Sequence, residues 1–267
     1  QRYLAQLNQG DQAGKLELTI AYIGACPLDK HLKLALRHEL DPKDPKGNPY
    51  IFGKERKSLK ELLLSEPWDY ITIQQASLKT PDISTYRPWA QKLCDYVRKY
   101  RPDSKILVHE TWSYRSDAPL YRDGKTDTHK MYRQLHDAYL TIARELGDLP
   151  VIPVGTAFDQ ARQRPDWQYR PDTDFDFAQA TEPQLPRQDH SLNVGWHWGK
   201  DRSGKKVLRN DARHANAAGC LLAGMVWREI ILGADARKNT FVPEGMTPAD
   251  AVILRDVAHN VAAEYRR

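Results

Sequence analysis

The apolar positions along this chain change period several times, and each change marks an element. Residues 1–9 repeat at helical spacing. Leu16-Glu17-Leu18-Thr19-Ile20-Ala21-Tyr22 alternates and is rich in strand formers, which predicts a strand running into the turn Ile23-Gly24-Ala25-Cys26-Pro27. Asp29–Leu40 is an amphipathic helix, and residues 41–53, with three prolines and two glycines, predict a loop. Ser58 stands where it can cap a short helix over 59–65. Trp68–Gln75 is a second strand, 85–100 a helix with Trp89, Leu93, Tyr96 and Val97 on one face, and Lys105–Glu110 a third strand. The longest central helix spans 127–146 and closes on Gly147. A fourth strand covers 149–155 and a helix 156–162; Pro150 and Pro153 place that strand at a sheet edge.

Strand and helix thus alternate four times, the pattern of βαβ units around a parallel sheet. Residues 164–213 break the rhythm. They are polar and rich in Pro and Gly, with a possible hairpin from 194–198 to 206–208. A long irregular stretch in a compact domain is more often functional than idle. Helices return at 215–232 and at 248–266, the latter with Thr247 as cap and Pro248 in the first turn. The expected organisation is one domain over 1–267, with an irregular insertion at about 164–213 and a C-terminal helix at about 247–267.

Charge and composition narrow the function classes. The net charge is +5, from 40 basic and 35 acidic residues spread along the chain. Basic pieces such as Lys54–Lys60 alternate with acids, so a solvated face is expected rather than a nucleic-acid groove. No run approaches the roughly 18–20 apolar residues that cross a membrane. Neither a nucleic-acid nor a membrane partner is expected. Cys26, Cys94 and Cys220 form no C-x-x-C pair and read as buried thiols. The chain opens as if partway into an amphipathic helix, so it reads as a piece of a longer protein whose compartment depends on what precedes Gln1.

Candidate chemistry gathers at strand ends, where open parallel sheets place their ligands. Gly24, Gln74, Gln75, Ser77, His109, Trp112 and Tyr114 lie there. Asp211-Ala212-Arg213-His214, at the junction into the helix 215–232, adds a carboxylate three residues before an imidazole. That is the orienter and base of a hydrolytic triad. The same spacing also suits a helix start in which Asp211 or Asn216 caps and His214 is a surface residue.

Four blocks together carry a resemblance. Asp211-x-x-His214-x-Asn216-x-x-Gly219 resembles the last block of the SGNH (GDSL-like) hydrolases. Tyr22–His31 resembles the glycine block of one poorly characterised bacterial branch of that superfamily. Trp68–Ser77 resembles the branch segment in which a Gln stands where others have Gly-x-Asn-Asp, and Val108–Arg115 matches as well.

The resemblance implies an α/β fold, a flavodoxin-like three-layer α/β/α sandwich with a parallel sheet, and ester hydrolysis by a Ser-His-Asp triad without a cofactor. His214 would be the base and Asp211 its orienter. Gly24 and Gln75, or its neighbour Gln74, would form the oxyanion hole, and Ser77, His109, Trp112 and Tyr114 would line the substrate cleft. The family's nucleophilic serine follows the first strand. That block is expected ahead of Gln1, so the first central strand is missing from the expected sheet. The strand at 16–22 would then pair directly with 69–75 or be loosely held. Ser77 is a weaker nucleophile candidate, because Gln-Gln-Ala-Ser-Leu does not suggest the sharp turn required.

The expected substrate is a small-molecule or carbohydrate ester. Two rivals stand beside this reading. One is a non-catalytic carbohydrate-binding relative that uses Trp112 and Tyr114. The other is a metal-dependent phosphoesterase built on His190, His197, Asp189 and Asp201, although no H-E-x-x-H occurs and no metal site is expected.

Overall fold

The computed structural model describes residues 2–266. The chain has the expected mixed α/β class with a parallel sheet, and it divides into two compact units. The sheet unit comprises residues 18–111 and 134–152. The hairpin unit comprises residues 1–17, 112–133 and 153–267.

In the sheet unit, β3 (Tyr70–Ile73), β4 (Lys105–His109) and β5 (Val151–Ile152) form a parallel sheet in the order β3-β4-β5. β4 is central, and its Ile106, Leu107 and Val108 are all buried, as befits a strand covered on both faces. β5 is an edge strand of two residues between Pro150 and Pro153, as its prolines predict. Helices α2 (Leu28–Leu40), α3 (Leu59–Leu64) and α4 (Trp89–Tyr100) belong to this unit, as does most of α5 (Thr128–Glu145). Ser58 and Glu61 close a capping box at the start of α3. α4 begins directly after Pro88, later than the periodicity suggested, because the ring is tolerated at a helix start and not within it. The phenols of Tyr96 and Tyr100 both donate to Glu39 Oε1, at 2.9 and 2.8 Å, and so tie α4 to α2.

Two expectations fail here. Leu16–Tyr22 forms no strand. Its alternation finds no neighbouring ladder, and Ile20 and Tyr22 are left exposed. The stretch read as a loop contains β1 (Tyr50–Phe52), which pairs with β2 (Glu55–Lys57) in a small hairpin.

The hairpin unit packs α6 (Val154–Gln163), α7 (Ala217–Leu232) and α8 (Pro248–Tyr265) against one another, with α1 (Leu4–Gln9) on α7. Phe158, Leu221, Leu222, Met225, Val226, Leu254 and Val261 are fully buried there. Thr247 Oγ1 accepts the Asp250 N–H at 3.1 Å, so the predicted cap of α8 is formed. The stretch read as irregular holds a long antiparallel hairpin, β6 (Asn193–Lys200) with β7 (Lys206–Ala215). β7 runs through Asp211 and His214, so these residues lie on a strand end rather than in a loop.

Candidate active site

The last residues of β7 carry the clearest chemistry. His214 Nδ1 and Asp211 Oδ2 are 2.7 Å apart. The other carboxylate oxygen of Asp211 accepts the backbone N–H groups of His214, at 3.0 Å, and Arg213, at 3.2 Å. Partial burial works against the charged carboxylate. The hydrogen bonds from His214 and Arg213 outweigh it and hold the carboxyl below its ordinary value. The His214 side chain is 71% exposed, and its Nε2 meets no hydrogen-bond partner among the described residues.

The strand end is braced from behind. The carbonyl of Arg213 accepts from Trp112 Nε1 at 2.8 Å and from Asn193 Nδ2 at 3.1 Å. The indole of Trp112 stacks on Phe158 at 4.7 Å, and the Arg115 N–H donates to the Ala212 carbonyl at 3.0 Å. Asn216 Oδ1 caps α7 through the Gly219 N–H, and its Nδ2 donates to the Ser191 carbonyl. A Cβ on Gly219 would stand 2.3 Å from the Leu192 carbonyl oxygen, so the close approach of α7 to that strand entry requires glycine. Asp211, His214, Asn216 and Gly219 thus form one junction, held by the Asp211–His214 contact, the Asn216 cap and the close approach at Gly219.

Beside this junction, within the same unit, lies a cleft of about 400 Å³ that periodicity did not reveal. Arg115, Arg162, Asp159, His129, Gln168 and Tyr169 are among its walls. Arg115 is buried and binds Asp117 with both arms, at 2.7 and 2.8 Å. Asp117 Oδ2 also accepts from Tyr169, Trp196 and Asn210, so this ion pair gathers the loop segments around the hairpin. Gly195, at φ 68°, leaves room for the Arg115 guanidinium, which would stand 2.0 Å from a Cβ there. These side chains come from two helices, the hairpin and the connecting loops, and no local period links them.

Of the other cleft candidates in this unit, Tyr114 is only 3% exposed, and its ring is a core element rather than a cleft wall. Trp112 is half-buried and committed to Arg213.

The remaining candidates belong to the sheet unit. Gly24 is exposed, and the positive φ of its turn falls on Ala25, at 51°, rather than on Gly24 itself. Gln75 is 1% exposed and fully engaged. Its Oε1 accepts from the N–H groups of Leu28 and Ala76, while Nε2 donates to the carbonyl and hydroxyl of Thr85. In this arrangement its amide braces the end of β3. Gln74 is exposed and Ser77 half-buried. Burial pulls His109 down to about 4. Sequence reasoning passed over Glu110, which is fully buried just beyond β4, with His136 Nδ1 2.7 Å from its Oε1. His31 is also held at about 4 by burial and the nearby Lys30, and its Nδ1 lies 2.7 Å from the Tyr50 hydroxyl.

The metal ligands weighed from the sequence do not converge. Asp201 accepts from its own turn, and His197 Nδ1 lies 3.0 Å from the Gly195 carbonyl oxygen. Among the described residues the group with metal-like spacing is Glu229, Asp235 and His259, and there Arg266 forms an ion pair with Glu229. No described helix is long and apolar enough to cross a membrane.

No curated protein matches this chain. It is similar to the crystal structure of a DUF4886 family protein from Bacteroides uniformis ATCC 8492, with a TM-score of 0.65 and 23% identity over 92% of this chain and 82% of that one. That likeness shows a shared fold. Residues 1–170 match the model of the family described as "Domain of unknown function (DUF4886)". The chain belongs to the DUF4886 family.

Proposed function

We propose that this protein is an ester hydrolase of the Ser-His-Asp type, in which Asp211 orients His214 as the general base. The observation that carries this reading is the 2.7 Å contact between His214 Nδ1 and Asp211 Oδ2, on an imidazole that is otherwise largely exposed. A carboxylate on one ring nitrogen fixes the tautomer and supports the imidazolium that forms when the other nitrogen takes a proton.

The nucleophile in this reading is the serine that the four-block resemblance puts ahead of Gln1. Its hydroxyl oxygen attacks the ester carbonyl as its proton passes to His214 Nε2. Collapse of the tetrahedral intermediate breaks the C–O bond, and His214 returns the proton to the leaving alcohol. Water then repeats the sequence on the acyl-enzyme. A small-molecule or O-acylated carbohydrate ester is the substrate class.

The test is hydrolysis of p-nitrophenyl acetate by the natural full-length protein. His214→Ala should lower kcat by at least about 1,000-fold, and Asp211→Asn by about 100-fold or more. Because His214 is largely exposed, its variant should melt with the parent. A His214→Ala protein that turns over within about threefold of the parent would rule out the assignment.

A further inference from the structure

The two guanidinium groups on the cleft of the hairpin unit differ in one respect. Arg115 is neutralised by the two-armed pair with Asp117. Arg162 makes no ion pair among the described residues. Its Nη1 donates to Ser113 Oγ at 2.9 Å, and Nη2 donates to the Ser113 carbonyl at 3.0 Å and to Asn193 Oδ1 at 2.9 Å. These acceptors are neutral, and they leave Nε–H uncommitted. The guanidinium also sits 5.5 Å from the ring centroid of Phe158, a fully buried side chain. Burial draws Arg162 down to about 10. Asp159 offsets part of that charge without forming an ion pair, and an anion delivered by a ligand would offset more of it.

The rest of the wall favours a hydroxylated ligand over a bare anion. Gln168, His129 and Ser116 face the cleft with polar groups, and Leu192 is its aliphatic contribution. The Gln168 Nε2 donor is uncommitted, and the His129 side chain is 55% exposed. The volume of about 400 Å³ suits a ligand of monosaccharide size. Asp159, next to His129 at 3.5 Å and one turn before Arg162, is the carboxylate whose charge the ligand must tolerate.

We propose that this cleft binds an acidic sugar, its carboxylate held by the guanidinium of Arg162 and its hydroxyls by Gln168 and His129. The uncommitted Nε–H gives a carboxylate one charge-assisted hydrogen bond as well as a complementary charge. Nothing in this assignment depends on the hydrolytic reading, because binding needs no turnover.

Calorimetric titration of the 267-residue chain at pH 8 with D-glucuronate, D-glucose and acetate tests it. Glucuronate should bind at least about tenfold more tightly than either glucose or acetate, one charge-assisted pair being worth roughly a factor of ten. Arg162→Gln should remove that preference. Because Arg162 also braces Ser113 and Asn193, a second variant keeps the test decisive if the first does not fold. Asp159→Asn removes the neighbouring negative charge and should tighten glucuronate about threefold relative to glucose. Equal affinity for glucuronate and glucose, equal affinity for glucuronate and acetate, no heat from glucuronate at 10 mM, or no tightening in Asp159→Asn would each overturn the proposal.

Discussion

A methyl group placed on Gly219 would meet the Leu192 carbonyl oxygen at 2.3 Å and the Phe158 ring at 2.9 Å. Neither is the loose end of a flexible side chain, so the junction must shift. Alanine is the better helix former by up to about 1 kcal/mol, but overpacking costs about 1–3 kcal/mol. Gly219→Ala should therefore lose about 1–2 kcal/mol in urea denaturation, and an unchanged midpoint would show that the contact yields freely. The pattern around Asp211 was legible because Asp211 with His214 and Asn216 with Gly219 answer demands three positions apart. Arg115, Asp117 and Arg162 were not legible. Arg115 and Asp117 pair two residues apart, but the segments they brace are distant, 76 residues for Arg115 with Ser191 and 93 for Asp117 with Asn210, and no spacing rule reaches that far. Gln75 was legible as a strand-end amide, but its commitment to Thr85 depended on how residues 76–85 return to it.

Among the elements, those with their own start and stop chemistry were read correctly. Thr247 and Pro248 announce α8, and Ser58 announces α3, where Glu61 completes the capping box. Removing the cap tests how much that local chemistry contributes. Thr247→Ala leaves the Asp250 N–H without its 3.1 Å acceptor and should destabilise the protein by about 1 kcal/mol, read as a lower denaturation midpoint at unchanged slope. A changed slope would mean that α8 no longer unfolds with the rest. Elements that depend on a partner were read less well. Leu16–Tyr22 has the alternation of a strand and no ladder to join. β7 was read as ending near Leu208, yet its pairing with β6 carries it to Ala215. Alternation says which face a strand would bury; only the neighbouring strand decides whether it exists.

For the molecule as a whole, the titrating groups divide unequally between the two units. The sheet unit holds His31 and His109, both drawn by burial from 6.5 to about 4. Their neutral forms are favoured in the fold, so the stability they contribute is complete above pH 6.5. It is lost as pH falls from 6.5 through 4, where the unfolded chain takes up protons that the folded chain refuses. The hairpin unit holds Asp211 and Asp235, whose lowered carboxyls yield to acid only below about pH 4, and Asp159, whose carboxyl is raised by burial. That shift has the opposite sign, costing stability as pH rises and sparing it as pH falls. Acid should therefore loosen the sheet unit first. Between pH 6.5 and 5 the two histidines should remove on the order of 2 kcal/mol of stability. Amide exchange should show β3 and β4 losing protection in that window while α7 and α8 keep theirs. His31→Gln, which retains a hydrogen-bonding group beside the Tyr50 hydroxyl, should remove about half of the pH dependence. Stability that is flat from pH 7 to 5, or loss of protection beginning in α7 and α8, would show that these imidazoles do not govern the acid response.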